Sequence, residues 1–443
     1  MQNELFEKMP VPKAYMKLAL PMMISSVLML VYNMVDMYFI AGTGNTNLVA
    51  GVSLCAPIFT FMIAIGDIFG LGGSSLISRL FGQGKMEDGK RLSVFSFLGG
   101  AVFGLVIGIL LYIFKNPMLT LLGATDQTKS YALQYYSWIV LGAPFVIFSL
   151  VPSNLLRTEG FATGAMIGSV LGSIVNMILD PIFIFTLGMG AGGAAAATVI
   201  GNVCADIFYI WFITHKSKAL SLNPKGFYIK MGELKQILGI GIPSSITNIM
   251  SSIAVMLLNR FLLPYGNDKI AAMGIVSKIV LIVVMVMVSF SFAGQPMYGY
   301  LFGAGNKKRM KETIRFSYMI VCGLGLALSI ILSIFALQMV TVFMDDPNII
   351  ATGTPMLRIV LAGMFFIGIT MVTTCIFQST GKGLGALTLS AGRQGYIYFL
   401  VLLIGSKLFG YMGVISAQPA ADVLTSILAI VLFKKLLGHE LTE

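Results

Sequence analysis

Charge is what this chain of 443 residues has least of: Asp, Glu, Lys and Arg make up 11% of it, against about 25% in an ordinary soluble domain. So little charge excludes a water-facing surface over most of the chain. Histidine occurs twice, at His215 and His439, and cysteine four times, at Cys55, Cys204, Cys322 and Cys375. Single, scattered thiols exclude a C-x-x-C redox or metal motif and a disulfide framework. No G-x-x-x-x-G-K-[S/T] loop is present, so ATP is not hydrolysed by this chain, and neither H-E-x-x-H nor G-x-S-x-G appears. Gly188-Met-Gly190-Ala-Gly192-Gly193 satisfies G-x-G-x-x-G. A dinucleotide site needs a preceding strand in a βαβ unit, however, and this segment joins two apolar runs. Its small residues are expected to let helices approach closely. With no nucleophile–base pair or metal constellation, the chain is not expected to be an enzyme, nor to carry an organic cofactor.

What is abundant is apolar. Hydrophobic residues make up 57% of the chain, and the mean hydropathy is +0.90. Runs of about 20 apolar residues cross a hydrocarbon core. Twelve can be read, at 15–40, 50–78, 92–114, 132–155, 164–187, 192–214, 234–262, 270–297, 314–336, 352–378, 387–409 and 412–437. The first lacks a small-residue cleavage site and reads as a span rather than a leader.

The chain also repeats. Leu80-Phe81-Gly82-Gln83-Gly84 returns as Leu301-Phe302-Gly303-Ala304-Gly305. Pro21 answers to Pro243, Gly51 to Gly274, Gly142 to Gly363 and Gly160 to Gly381. Both glycine loops run into basic stretches, Lys85 to Arg91 and Lys307 to Arg315. The offset is too long for a solenoid unit of about 20–50 residues. Six spans per copy is an even number, so both copies start on the same side. The expected fold is an all-α membrane protein, with twelve transmembrane helices in two parallel six-helix repeats around a central cleft. The N-terminal lobe is expected at 1–218, a cytoplasmic inter-lobe linker at 219–232, where Asn223-Pro224-Lys225-Gly226 marks a turn, and the C-terminal lobe at 233–443.

Lys and Arg fix the orientation. Placing both termini in the cytoplasm puts twenty-two of them on that side, Arg393 included, and six on the other, with Lys278 inside a span. That asymmetry accounts for the net charge of +11 through anionic lipid rather than nucleic acid. A basic, aromatic-interleaved groove for a nucleic-acid strand is missing.

Charges at membrane depth are costly unless they face a partner or a cavity. The carboxylates so placed are Asp36, Asp67, Asp180, Asp206 and Asp422. Asn176 and Asp180 are four apart on span 5, hence on one helical face, as are Thr198 and Asn202 on span 6. Asn154 adds an amide near the inner end of span 4. Asp36, Asn176, Asp180 and Thr198, with Asn154 and Asn202 as weaker candidates, supply carboxylate, amide and hydroxyl oxygens that suit a small hard cation. Two neighbouring carboxylates could equally hold a proton. Asp67 is expected to pair with Arg79 or another cation, and Asp206 and Asp422 look architectural. Pro21, without an amide donor, can hinge span 1. Tyr32, Met34, Met256, Arg260, Lys278 and Gln295 are the candidates for lining a substrate cleft, where methionine repacks around different shapes.

The duplicated six-span design resembles the multidrug and toxic compound extrusion (MATE) family, as do the G-x-G loops after spans 2 and 8 and the Leu156-Arg157-Thr-Glu-Gly160 turn. The resemblance covers essentially the whole chain. It implies a prokaryotic inner-membrane transporter exporting cationic amphipathic drugs or toxins by alternating access, in exchange for H+ or Na+. Small organic cations and membrane lipid would be its only partners, and it would act as a monomer. It also implies ion coupling at Asp36, Asn176, Asp180 and Thr198, with Na+ as the metal ion such a set would hold. A second branch of the family couples through acids on spans 7 and 10. Here those spans read Met256-Leu-Leu-Asn259-Arg260 and Thr373-Thr374-Cys-Ile-Phe-Gln378, without a carboxylate. The other readings are a flippase for lipids or lipid-linked saccharides, which would present a cationic cavity, and a single-metabolite exporter.

Overall fold

A computed structural model describes residues 4–225, 227–344 and 346–442, apart from the side chains of Ile249 and Thr442. The described chain is almost entirely helical. In order the helices are α1 (Val11–Gly42), α2 (Thr46–Leu54), α3 (Ala56–Gly82), α4 (Met86–Ile113), α5 (Lys115–Leu121), α6 (Lys129–Leu141), α7 (Ala143–Thr158), α8 (Ala162–Pro181) and α9 (Gly190–Lys216). After them come α10 (Met231–Leu262), α11 (Asn267–Ala293), α12 (Gln295–Gly303), α13 (Lys307–Ile334), α14 (Ala336–Phe343) and α15 (Pro347–Leu361). The chain ends with α16 (Met364–Ser379), α17 (Gly383–Ala391), α18 (Ile397–Ile415) and α19 (Ala417–Thr442).

Nine helical stretches among the described residues are long and apolar enough to cross a membrane singly, some of them built from two consecutive helices. Two bent pairs add two more: α6 with α7 turns by 50°, and α15 with α16 by 44°. The 26-residue α19 is the remaining long helix, which brings the order to twelve. This is a multi-pass membrane protein. The bends fall at Gly142 and Gly363, which the repeat pairs with each other, and the short α5 and α14 also occupy matching places in the two copies. Large apolar side chains face outward where lipid is their solvent, among them Phe103, Ile109, Phe409 and Leu408.

Contacts divide the chain into two compact units, Met1–Leu5 with Leu20–Ser245, and Phe6–Ala19 with Ile246–Glu443. The sequence boundaries at 218 and 233 follow chain order, whereas packing divides α1 and α10 within their own lengths. Each division falls within three residues of a proline, Pro21 in α1 and Pro243 in α10. The 219–232 segment is part of the first unit. Glu159 accepts hydrogen bonds from the Lys218 and Ala219 amides at 3.0 and 3.1 Å, and Ser93 accepts one from the Ser221 amide at 3.0 Å.

In the first unit, Cys55, Ile58, Met62, Tyr136, Ile139 and Ile147 form a buried apolar cluster. Tyr136 satisfies its hydroxyl on the Leu111 carbonyl at 2.8 Å. In the second unit, Tyr15 does the same on the Phe290 carbonyl at 2.5 Å. Arg393, expected in the cytoplasm, lies inside the 33-residue helical stretch from Gly383 to Ile415. It is held there by a buried partner, Asp422, whose Oδ1 accepts from Arg393 Nε at 2.9 Å and from Gln418 Nε2 at 3.1 Å. The turn of π-helix at Gly392–Tyr396, which carries Arg393, contains Gly395 at non-helical dihedrals, and Gly410 kinks α18 further on with φ 55°. That left-handed value suits a residue without a Cβ.

Candidate ion-binding site in the first unit

Glycine recurs every fourth residue along α8, at Gly164, Gly168 and Gly172, and the same stripe continues as Asn176 and Asp180. A four-residue step keeps all five on one helical face. The glycines let α9 pack closely. A Cβ on Gly172 would stand 2.8 Å from the Gly201 carbonyl oxygen, and the Gly168 face is covered by the Tyr209 ring. Backbone contact at that level sets α8 and α9 so that the next polar residues meet. Asn176 Nδ2 donates to Thr198 Oγ1 at 3.1 Å, and that hydroxyl donates to the Ala194 carbonyl at 3.1 Å. One turn further along α9, Asn202 donates its amide to the Thr198 carbonyl at 2.9 Å and accepts from Ser149 Oγ of α7 at 3.1 Å.

Asp180 and Asp36 stand within side-chain reach of each other, which brings α1 to the same site. Asp36 is half-buried; Asp180 and Asn176 are 0% and 2% exposed. Both oxygens of Asp180, Oδ1 of Asp36 and Oδ1 of Asn176 are buried without a hydrogen-bond donor. Buried polar atoms are normally satisfied, so four unpaired oxygens on neighbouring residues make this the candidate place for a donor or a cation. Among the described residues no group of three His, Cys, Asp or Glu side chains comes together. The donor set is carboxylate, amide carbonyl and hydroxyl, which favours a proton or a hard monovalent ion over a transition metal.

Two tyrosines close the site. Tyr32, one turn before Asp36, lies in electrostatic contact with Asp36 and Asp180 and within reach of Thr198. Tyr135 of α6 faces Asp36, Tyr32 and Asp180, and nothing in its sequence surroundings distinguished it from a packing aromatic. After Pro181 the helix loosens into one turn of π-helix, Ile182–Thr186, closed by the Leu187 amide on the Ile182 carbonyl at 2.9 Å.

The remaining candidates lie elsewhere. Asn154 gives its amide to the Leu150 carbonyl at 2.9 Å and packs on Gly70. Asp67 has Arg157 as its neighbouring cation, while Arg79 donates to the Ser75 carbonyl at 3.2 Å. Met34 belongs to the first unit, and Met256, Arg260, Lys278 and Gln295 to the second, where Gln295 donates to Gln378 at 2.6 Å. Met34, Met256, Arg260 and Lys278 are exposed.

Duplicated six-helix halves of membrane-spanning length, with a desolvated acid pair in the first, have the make-up of a membrane transporter. The MatE family model matches the chain twice, over residues 21–182 and 243–404, so the chain belongs to the MatE family. It is 34% identical over 440 residues to the multidrug export protein MepA of Staphylococcus aureus, covering 99% of this chain and 96% of that one. To the protein of the same name in Staphylococcus haemolyticus it is 32% identical over 425 residues, covering 96% and 94%. A solved structure described as the outward-facing conformation of a multidrug resistance MATE family transporter of the MOP superfamily superposes with a TM-score of 0.93. It is 26% identical, and the match covers 99% of this chain and 98% of that one.

Proposed function

We propose that this chain exports structurally varied, cationic amphipathic compounds from a prokaryotic cell, in exchange for H+ or Na+ entering at Asp36, Asn176, Asp180 and Thr198. The observation that carries the coupling is the set of four buried, unpaired oxygens at one site. The naming of both full-length relatives as multidrug export proteins supports the drug over the flippase reading. The protein sits in the inner membrane with both termini in the cytoplasm, works as a monomer and uses no organic cofactor.

An ion shifts a two-state transporter only if it binds the two states differently. Here the ion neutralises a carboxylate pair in the state where Asp36, on the hinged helix α1, faces Asp180. Its loss leaves two desolvated acids facing each other and drives α1 away. Pro21 is the bending point, since it removes one helical hydrogen bond. A single charge falling through about 150 mV releases roughly 3.5 kcal/mol, but a monovalent cation leaving in exchange takes the same amount back, so a one-for-one exchange is driven by the ion's concentration gradient alone. The test is uptake of a fluorescent organic cation into proteoliposomes with proton and sodium gradients imposed separately. Uptake that follows at least one gradient supports antiport, and uptake indifferent to both ends it.

A further inference from the structure

The polar stripe of α9 does not stop at Asn202. Thr198, Asn202 and Asp206 are spaced by four residues, so Asp206 continues the same face, about 12 Å inward of Thr198 along the helix axis. The first two are wired into the cluster by the Asn176, Ser149 and Ala194 hydrogen bonds. Asp206 is 4% exposed, and neither of its carboxylate oxygens has a hydrogen-bond partner. An architectural acid at membrane depth looks different in this same molecule: Asp422 is bound by Arg393 and Gln418. Among the described residues no such cation serves Asp206. Its titratable neighbour is Tyr209, on its own helix, whose hydroxyl is given to the Ala165 carbonyl of α8 at 2.9 Å. Beyond Tyr209 stands Arg157 of α7, which donates to Ser153 Oγ at 3.0 Å and has Asp67 of α3 as its acidic neighbour. A desolvated carboxylate without donor or cation is strongly unfavourable. Its negative charge therefore calls for a positive partner that arrives from elsewhere.

We propose that Asp206 is a second, inner station for the coupled monovalent cation, reached from Asp36 and Asp180 along the Thr198–Asn202 face before release to the cytoplasm. The proposal rests on the coupling reading above and adds the inward half of the ion's route. An acid lying two helical turns further in lets the ion leave the outer pair without crossing apolar helix surface unaided.

Asp206→Asn, Asp206→Glu, Asp180→Asn and the unaltered protein are reconstituted in parallel. Each is assayed for cation uptake driven by a proton or a sodium gradient, and for substrate–substrate counterflow without any gradient. Asp206→Asn is expected to lose gradient-driven uptake by about tenfold or more while keeping counterflow within about twofold, with Asp206→Glu restoring part of the driven rate. The gradient that drives uptake identifies the ion. Driven uptake by Asp206→Asn at the unaltered rate overturns the inner station, and so does an equal loss of both activities, which marks a purely structural carboxylate. If the unaltered protein responds to a gradient, Asp180→Asn does not and Asp206→Asn does, only the inner station falls. If the unaltered protein ignores both gradients, the coupling reading falls and takes the station with it.

Discussion

Asn176 gives its side-chain amide to the Thr198 hydroxyl and keeps its own carbonyl oxygen buried and unpaired. The hydroxyl cannot turn to satisfy that oxygen, because its proton is already on the Ala194 carbonyl. Thr198 thereby holds Asn176 with its acceptor end free, one turn before Asp180 on α8. An amide carbonyl so fixed is a ligand for a cation, or an acceptor for a protonated carboxyl, and needs no rearrangement to act as either.

Thr198→Val removes the acceptor while keeping the shape. The Asn176 amide is then a buried donor without a partner, which costs about 1–3 kcal/mol. Lower thermal stability in detergent is expected, together with weakened ion-driven transport, while Thr198→Ser stays close to the unaltered protein. Equal transport by the valine and serine variants would show that the hydroxyl does not orient Asn176.

The glycine stripe is the mechanical basis of that contact. A Cβ on Gly172 meets the Gly201 backbone, which cannot yield as a side chain would. Gly172→Val is expected to separate α8 from α9 and lose both yield and transport, whereas Gly274→Ala, where a Cβ meets nothing within 4 Å, is expected to be silent. Transport measured per folded molecule separates the two effects. Normal driven transport in Gly172→Val would show that close packing of these helices does not build the site.

The spans, the duplication and the four polar residues were legible because each rests on spacing within one helix or on the cost of a charge in lipid. Asp36, Asn176, Asp180 and Thr198 stand out against apolar neighbours, and the structure gathers them at one place. Tyr135 was not legible, since an aromatic on an apolar run has the same pattern whether it packs or faces an acid. Arg393 was assigned by counting cations per loop, and counting carries no information about Asp422, twenty-nine residues away on another helix. The division of α1 and α10 between contact units was equally hidden, because hydropathy records length and polarity but not which neighbours a helix turn has.

The Arg393–Asp422 pair gives a stability prediction. Asp422 is 1% exposed, so Arg393→Met leaves a buried acid with the Gln418 amide as its donor but without its cation. Removing one partner of a buried pair costs about 3–5 kcal/mol, while replacing both by apolar groups often recovers much of the loss. Arg393→Met and Asp422→Leu alone should each melt well below the unaltered protein, and the double variant should melt above either single one. Strictly additive losses in that cycle would show that the two side chains do not act as a pair.

Arg91 lies at the start of α4. Its guanidinium makes a two-pronged bond to Glu233 at 2.6 and 3.0 Å, reaches Asp88 at 3.1 Å and donates to the Tyr228 carbonyl at 2.7 Å. It also stacks over the Tyr228 ring, 4.2 Å from the centroid. Glu233 in turn accepts the Lys230 amide at 2.9 Å, capping the first turn of α10. One side chain therefore ties the end of the 219–232 segment to two helices. A lysine keeps the charge but has neither the planar fork nor the stacking surface. If the loss lowers the local opening free energy by about 1–2 kcal/mol, the opened population rises roughly 5- to 30-fold. Limited proteolysis of the folded protein in detergent should therefore cut this segment fastest in Arg91→Ala, at an intermediate rate in Arg91→Lys and slowest in the unaltered chain. Identical cleavage rates in all three would show that Glu159 and Ser93 hold the segment without help from Arg91.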